Sequence, residues 1–347
     1  HFYIKNLSLA LSIIEGVFML GAKLLVTGAA GFIGRTLVKQ LAESGYCIDA
    51  LDSFRFSNRS QIYKHKNINW VEGDTRDWEL VSKLTQGKKA IIHLAAPSSF
   101  LMHEENDLEA CEFTLMGFKT VMEAAKKHTV KKVVWASTSA VYERNQVPYH
   151  EAMTLNPPDS KAGCKLFCEQ EARRYSERYG INCIGLRPFS VYGVGEHTKG
   201  GYANIVSLFT WAIMHGEQPV VWGDGSQTRD FIFVVDAATL FQKALELDIP
   251  TQELNVGFGQ EHSFNEVIQC IAQLLNKEVK PRYVPVPIKI YAHRLWADMR
   301  KTESLLGFKP SIDLRHGVEK IIQVTKALND NQLREKQHYY LSLSEII

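Results

Sequence analysis

The sequence predicts an α/β fold, a doubly wound parallel sheet with a smaller C-terminal lobe for substrate. Three observations carry this. Short apolar runs alternate with segments of helical period from Lys23 onward. A glycine-rich turn joins the first such run to the first helix. After about residue 193 glycine and proline become frequent and the alternation loosens.

In order, KLLVTG reads as a buried strand and FIGRTLVKQLAESG as a helix ending in Gly45. YCIDALD, INWVEGD and KKAIIHLAA are the next strands. Asp107 to His128 has the period of a long helix, followed by the strand KKVVWAST. Ser160 to Tyr179 is another helix, followed by the strand INCIGLRPF. Strands alternating with helices imply a sheet covered on both faces. The expected division is residues 1–22 as an N-terminal extension and 23–192 as the nucleotide-binding unit. Residues 193–347 form mainly a substrate lobe, interleaved with the sheet.

In the extension, Ile4, Leu7, Leu11, Ile14 and Phe18 recur at helical spacing, while Lys5 and Glu15 keep the apolar run short for a membrane span. The segment either precedes a natural start at Met19 or is a helix docked on the domain or a partner. Membrane contact is the remaining reading. A signal peptide fits poorly because a strand follows with no small-residue cleavage site. The tail beyond Thr325 carries no readable motif.

Hydrophobic residues make up 45% of the 347 and charged residues 22%, enough apolar content for a substantial core. A net charge of +2 gives no electrostatic case for nucleic acid. The six cysteines (47, 111, 164, 168, 183, 270) show no CxxC pair and no Cys/His cluster. Neither a disulfide framework nor a metal site is therefore expected, and a cytoplasmic location without a membrane partner is.

GAAGFIG, Gly28 to Gly34, is the first functional signal. Gly28 permits a tight turn, Gly31 lets a pyrophosphate approach the backbone, and Gly34 lets helix and strand pack closely. The phosphates would sit on the helix N-terminus beside Phe32 and Ile33, where free N–H groups favour anions. Asp52 ends the second strand, 24 residues after Gly28. A carboxylate there can bind ribose hydroxyls and repels a 2′-phosphate, which favours NAD over NADP. Arg55 and Arg59 follow closely and temper that preference.

Seven segments occur in a set order: GAAGFIG, Asp52, GDTRD (73–77), HLAA (93–96), STSAVY (137–142), LRPFSVYG (186–193) and GDGSQTRDF (223–231). With this ordered set the chain resembles an extended short-chain dehydrogenase/reductase of the NAD-dependent nucleotide-sugar epimerase/dehydratase group. The resemblance covers about Lys23 to Thr325 and implies a Rossmann-type fold with NAD as cofactor. It further implies that Asp74 and Thr75 contact adenine, that Leu94, Ala95 and Ser98 line the cofactor cleft, and that Phe189 packs near the nicotinamide. Thr114 stands where the family usually has an asparagine near the active site.

The resemblance also implies that Thr138 hydrogen-bonds the sugar hydroxyl being oxidised. A hydroxyl can donate and accept at once, which suits that position. The family pairs this residue with a tyrosine four residues before a lysine on the next helix. The lysine is Lys165, expected to hold the nicotinamide ribose. The tyrosine position holds Lys161, and Cys164 replaces the usual serine.

Four readings of Lys161 stand open. It accepts the proton itself, as a neutral amine with Lys165 and the cationic nicotinamide disfavouring its charge. It binds an anionic group while Tyr149, His150 or Glu143 takes the proton. The chemistry is weak or lost, leaving a nucleotide-sugar binding protein. Or it is an exposed lysine without a role. Ser139 and Ala140 stand where dehydratases of the family carry an acidic pair, which lowers dehydratase and raises epimerase without excluding a dehydratase or reductase.

On the substrate side the resemblance implies that Arg229 grips the diphosphate, its planar fork matching phosphate oxygens. Asn204 and the strand VVW (220–222) would border the base and sugar. Ser190 stands where an asparagine usually touches the diphosphate, and Arg294 is a further candidate. A nucleotide-diphosphate sugar is the expected ligand. The family's dimers imply a homodimer through the two long helices, with Phe113, Leu115 and Phe167 contributing.

Overall fold

A computed structural model describes residues 21–287 and 291–327. The extension before Gly21, with its expected helix, and the tail beyond Ala327 lie outside the described residues. The main sheet has seven strands, all parallel, in the order β3-β2-β1-β4-β5-β6-β10. They are β1 (Lys23–Thr27), β2 (Cys47–Asp52), β3 (Ile68–Glu72), β4 (Ala90–His93), β5 (Lys132–Ala136), β6 (Asn182–Pro188) and β10 (Gln252–Val256). The order reverses between β1 and β4, and such a switch point opens a crevice at the carboxyl ends of the strands. Both glycine turn and Thr138 lie at that end.

Helices cover both faces of the inner strands, and the edge strand β3 is only partly covered. On one side α1 (Phe32–Glu43) and α7 (Val234–Glu246) pack Leu37, Val38 and Leu41 against Leu240 and Phe241. On the other, α2 (Trp78–Thr85), α4 (Asp107–Lys127) and α5 (Ser160–Tyr179) pack Val81, Phe118, Val121 and Tyr175 on the sheet. A short helix, α3 (Phe100–Glu105), precedes α4. Full burial of each such side chain contributes about 1.5–3 kcal/mol. The caps are written in the sequence: Asn106 accepts from Glu109 N at the start of α4. Asp159 accepts from Ala162 N at the start of α5, and Gly180 ends that helix at φ 64.

The lobe has its own core, in which Val206 and Phe209 of α6 (Ile205–Met214) meet Phe264 and Val267 of α8 (Phe264–Leu275). Val318 and Ile321 of α10 (Leu314–Lys326) close it. Its sheet centres on β9 (Thr228–Phe233), paired with β7 (Ser190–Tyr192), β11 (Glu261–Ser263) and β13 (Arg294–Leu295). A boundary at residue 192 therefore cuts across the architecture. β7, before it, pairs in the lobe, and α7 and β10, after it, belong to the nucleotide-binding unit. No helix among the described residues is long and apolar enough to cross a membrane.

Candidate active site

The glycine turn shows its purpose in space. Gly28 has φ +67, and a Cβ there would lie 2.6 Å from Ala95 N. A Cβ on Gly34 would lie 2.1 Å from Gly28 O. No side chain caps α1 at Gly31, so the N–H groups of the first turn stand free for an anion. This cradle opens on a cleft of about 450 Å³ that runs along the carboxyl ends of the strands. Gly28, Gly31, Phe32, Ile33 and Gly34 line it, as do Asp52, Asp74 and Thr75. Leu94, Ala95, Ser98 and Phe189 lie along the same walls.

The Asp52 carboxylate is oriented by three donors: Ala30 N at 2.9 Å, Phe54 N at 2.8 Å and Ser57 Oγ at 2.9 Å. Both nearby arginines are committed elsewhere. Arg55 grips Glu109 through two bonds of 2.5 and 2.7 Å, and Arg59 pairs with Glu72. Arg55 nonetheless lines the cleft, so its charge stays beside the cofactor space. Asp74 holds Arg76, which keeps its carboxyl below the usual range even against the opposing effect of burial. The Arg76 guanidinium lies 3.7 Å from the centroid of Phe113, which lines the cleft.

Two expected positions fall elsewhere. Thr114 is buried, outside the cleft, and its hydroxyl donates to Ala110 O at 2.9 Å within its own helix. Helix α4 turns Phe113, not Thr114, toward the cofactor space. Arg294 is exposed and bound to Glu261, away from the cleft.

At the inner end, Thr138 lines the cleft and caps a short turn by accepting from Ala140 N at 3.2 Å. The turn is anchored below. Ser137 Oγ donates to Glu169 at 2.6 Å, and Tyr142 Oη donates to Asn255 at 2.9 Å. Lys165 is buried and donates from Nζ to Ala136 O at 2.7 Å. Burial holds its pKa below the ordinary lysine value, and the Lys161 charge adds to this. Lys161 lines this cleft and also an adjoining cavity of about 290 Å³. Ser190, Asn204 and Glu143 line both spaces, and Arg229 the adjoining one.

Asn204 caps α6 by accepting from Val206 N at 3.1 Å, so part of its polarity is already engaged. Arg229 lies over the rings of Phe264 and Tyr291, at 5.5 and 5.2 Å, and donates to Thr228 O. Among the alternative proton acceptors, Tyr149 is buried between Tyr142 and Phe189 and lines neither space. Its hydroxyl donates to Arg294 O at 3.3 Å. His150 is exposed and also lines neither. Glu143 lines both.

One grouping is not singled out by the cysteine spacing. His103, Asp107 and Cys111, four residues apart along the end of α3 and the start of α4, place ligand-type atoms within 4.8 Å of one another. Asp107 Oδ1 serves His103 Nδ1 at 3.2 Å, Cys111 Sγ at 3.7 Å, and the Ser160 hydroxyl.

The family described as NAD dependent epimerase/dehydratase matches residues 24–257. The chain belongs to this family. A putative UDP-glucose 4-epimerase of Methanocaldococcus jannaschii is 32% identical over 309 residues, covering 88% of this chain and 99% of its own. The UDP-N-acetylglucosamine 4-epimerase of Methanobrevibacter ruminantium M1, solved with UDP-N-acetylmuramic acid, superposes with a TM-score of 0.82 at 27% identity. That match covers 89% of this chain and 100% of the other. MoeE5, solved with UDP-glucose and NAD, has a TM-score of 0.78 at 28% identity, covering 88% and 99%. For this NAD-dependent family member, the glycine cradle, the free helix N-terminus and the Asp52 carboxylate together fit the dinucleotide.

Proposed function

We propose that the protein is a nucleotide-sugar epimerase that works through a transient ketosugar, with a UDP-sugar as substrate. The observation that carries this reading is a shared wall between two spaces. The cofactor cleft and the cavity beside Arg229 are both lined by Glu143 and Lys161. Bound NAD supplies an acceptor, and later a donor, for the hydrogen on the sugar carbon. Lys165 holds the nicotinamide ribose, and Thr138 orients the reacting hydroxyl. Arg229 takes the diphosphate, with Ser190 and Asn204 beside it. The proton is handled by the pair at the junction. UDP-sugar 4-epimerase relatives support the reading, and so does the lack of an acidic pair at Ser139 and Ala140, where a dehydratase would need its acid.

Incubation of the purified protein with NAD and UDP-glucose, UDP-N-acetylglucosamine or UDP-glucuronate, with separation of products, tests it. Interconversion with the 4-epimer of one of them is expected. Binding of NAD without turnover of any would favour the rival reading, a nucleotide-sugar binding protein, which the absence of the tyrosine hydroxyl at Lys161 favours.

A further inference from the structure

Resting on the epimerase reading, we propose that Glu143 is the group that takes the proton from the reacting sugar hydroxyl and returns it, with Lys161 as its counter-cation. The position of Glu143 is fixed by the turn that carries Thr138. Its N–H donates to Ala140 O at 3.2 Å, and the preceding Val141 and Tyr142 are fully buried. Five residues after Thr138, its side chain reaches the junction of the two spaces. No described residue hydrogen-bonds its carboxylate, so both oxygens are available to a ligand.

The charged groups around it come from three directions. Charged Lys161 and Asp159 project from the start of α5 and charged Arg229 from β9, while the neutral phenol of Tyr149 comes from the loop before α5. Burial raises the Glu143 pKa above the ordinary carboxylate value, while Lys161 pulls it down. A carboxyl moved toward neutrality is better matched to proton transfer at neutral pH than an unperturbed one.

The pairing decides which partner is the base. The Lys161 charge favours the ionised form of the Glu143 carboxyl. An ammonium has three donors and no acceptor, whereas a carboxylate accepts on either oxygen. In the forward step the hydroxyl O–H bond breaks and the proton moves to a Glu143 oxygen. The electron pair left on the sugar oxygen closes the carbonyl as the carbon-bound hydrogen departs with its bonding pair, which NAD would accept when bound. The return step reverses each transfer on the other face of the ring. Lys161 stabilises the negative charge that builds on the sugar oxygen. Its long stem thus occupies the tyrosine's place without inheriting the tyrosine's task.

The test uses the full chain loaded with NAD and the three UDP-sugars above, with Glu143→Gln, Glu143→Asp and Lys161→Met. Glu143→Gln should lower turnover by roughly 10²–10⁴-fold with UDP-sugar affinity little changed, and Glu143→Asp should recover part of it. Carbon-13 NMR of labelled glutamate carboxyls supplies a readout apart from turnover. One titration should vanish in Glu143→Gln and move to higher pH in Lys161→Met. Wild-type turnover with Glu143→Gln within about threefold overturns the assignment and leaves the epimerase reading standing. An unmoved Glu143 titration in Lys161→Met overturns the pairing. A folded, NAD-loaded wild type that turns over none of the three sugars overturns the epimerase reading, and the assignment with it.

Discussion

Arg187 on β6 binds Glu169 on α5 through two hydrogen bonds of 2.8 and 2.6 Å, with both side chains buried beneath the active-site turn. Ser137 donates to the same carboxylate and Tyr142 accepts from the same guanidinium. The pair therefore fixes both ends of the turn that presents Thr138. Removing one member of such a pair leaves an uncompensated buried charge, at a cost of about 3–5 kcal/mol. Glu169→Ala should show that loss in urea unfolding. Glu169→Met with Arg187→Met should lose less than either single change predicts.

Gly34→Ala should abolish retention of NAD, because the new Cβ would meet Gly28 O at 2.1 Å, against backbone that cannot yield cheaply. Gly163→Ala, in α5, meets nothing within 4 Å and should raise stability by about 0.5–1 kcal/mol through helix propensity. NAD bound per chain after gel filtration checks the first, and the unfolding midpoint the second.

His93 makes stability depend on pH. It is buried, its Nδ1 lies 2.7 Å from Thr27 Oγ1, and burial together with the Lys165 charge lowers its pKa to about 3. The unfolded histidine, near 6.5, binds a proton that the folded one refuses across this window. Its contribution is thus complete above about 6.5 and is lost as pH falls toward 3, with a slope near ~1.4 kcal/mol per pH unit. His93→Gln should flatten urea-derived stability against pH within that range.

Association is expected through α4 and α5, whose outer faces expose Leu108 at 82%, Met116 at 52% and Phe167 at 48%. Of the three residues expected from sequence, only Phe167 points outward. Phe113 lines the cofactor cleft and Leu115 packs in the chain's own core. Sedimentation velocity at micromolar concentration should show a dimer for the wild type and a monomer for Phe167→Glu with Leu108→Glu. A wild-type monomer would refute the interface.

The strands, the long helices and the glycine turn were legible because each rests on local rules: apolar period, capping residues and positive φ. The lining of the cleft was legible as far as it follows strand ends, as with Asp52, Leu94 and Ala95. What failed depended on helix rotation. Neighbours on α4 face different ways, so Phe113 reaches the cleft and Thr114 does not. Pairings across the fold were also hidden, since nothing local ties Arg55 to Glu109 or Arg294 to Glu261. Glu143 stood among three alternative acceptors in the sequence, and only the burial of Tyr149 and the exposure of His150 separate them.

The final strand of the main sheet, β10, arrives only after the chain has laid down β7, α6 and β9 of the lobe. Its Asn255 supports Tyr142 under the active-site turn and also donates to Tyr149 O and Asp298 O. The two halves are thus not exchangeable cassettes. A nascent chain ending before Gln252 would lack this brace and leave β6 as a bare edge, so the nucleotide unit is completed only late in synthesis. Swapping lobes between relatives to change sugar preference would have to graft around β10 and α7, not cut at a single junction.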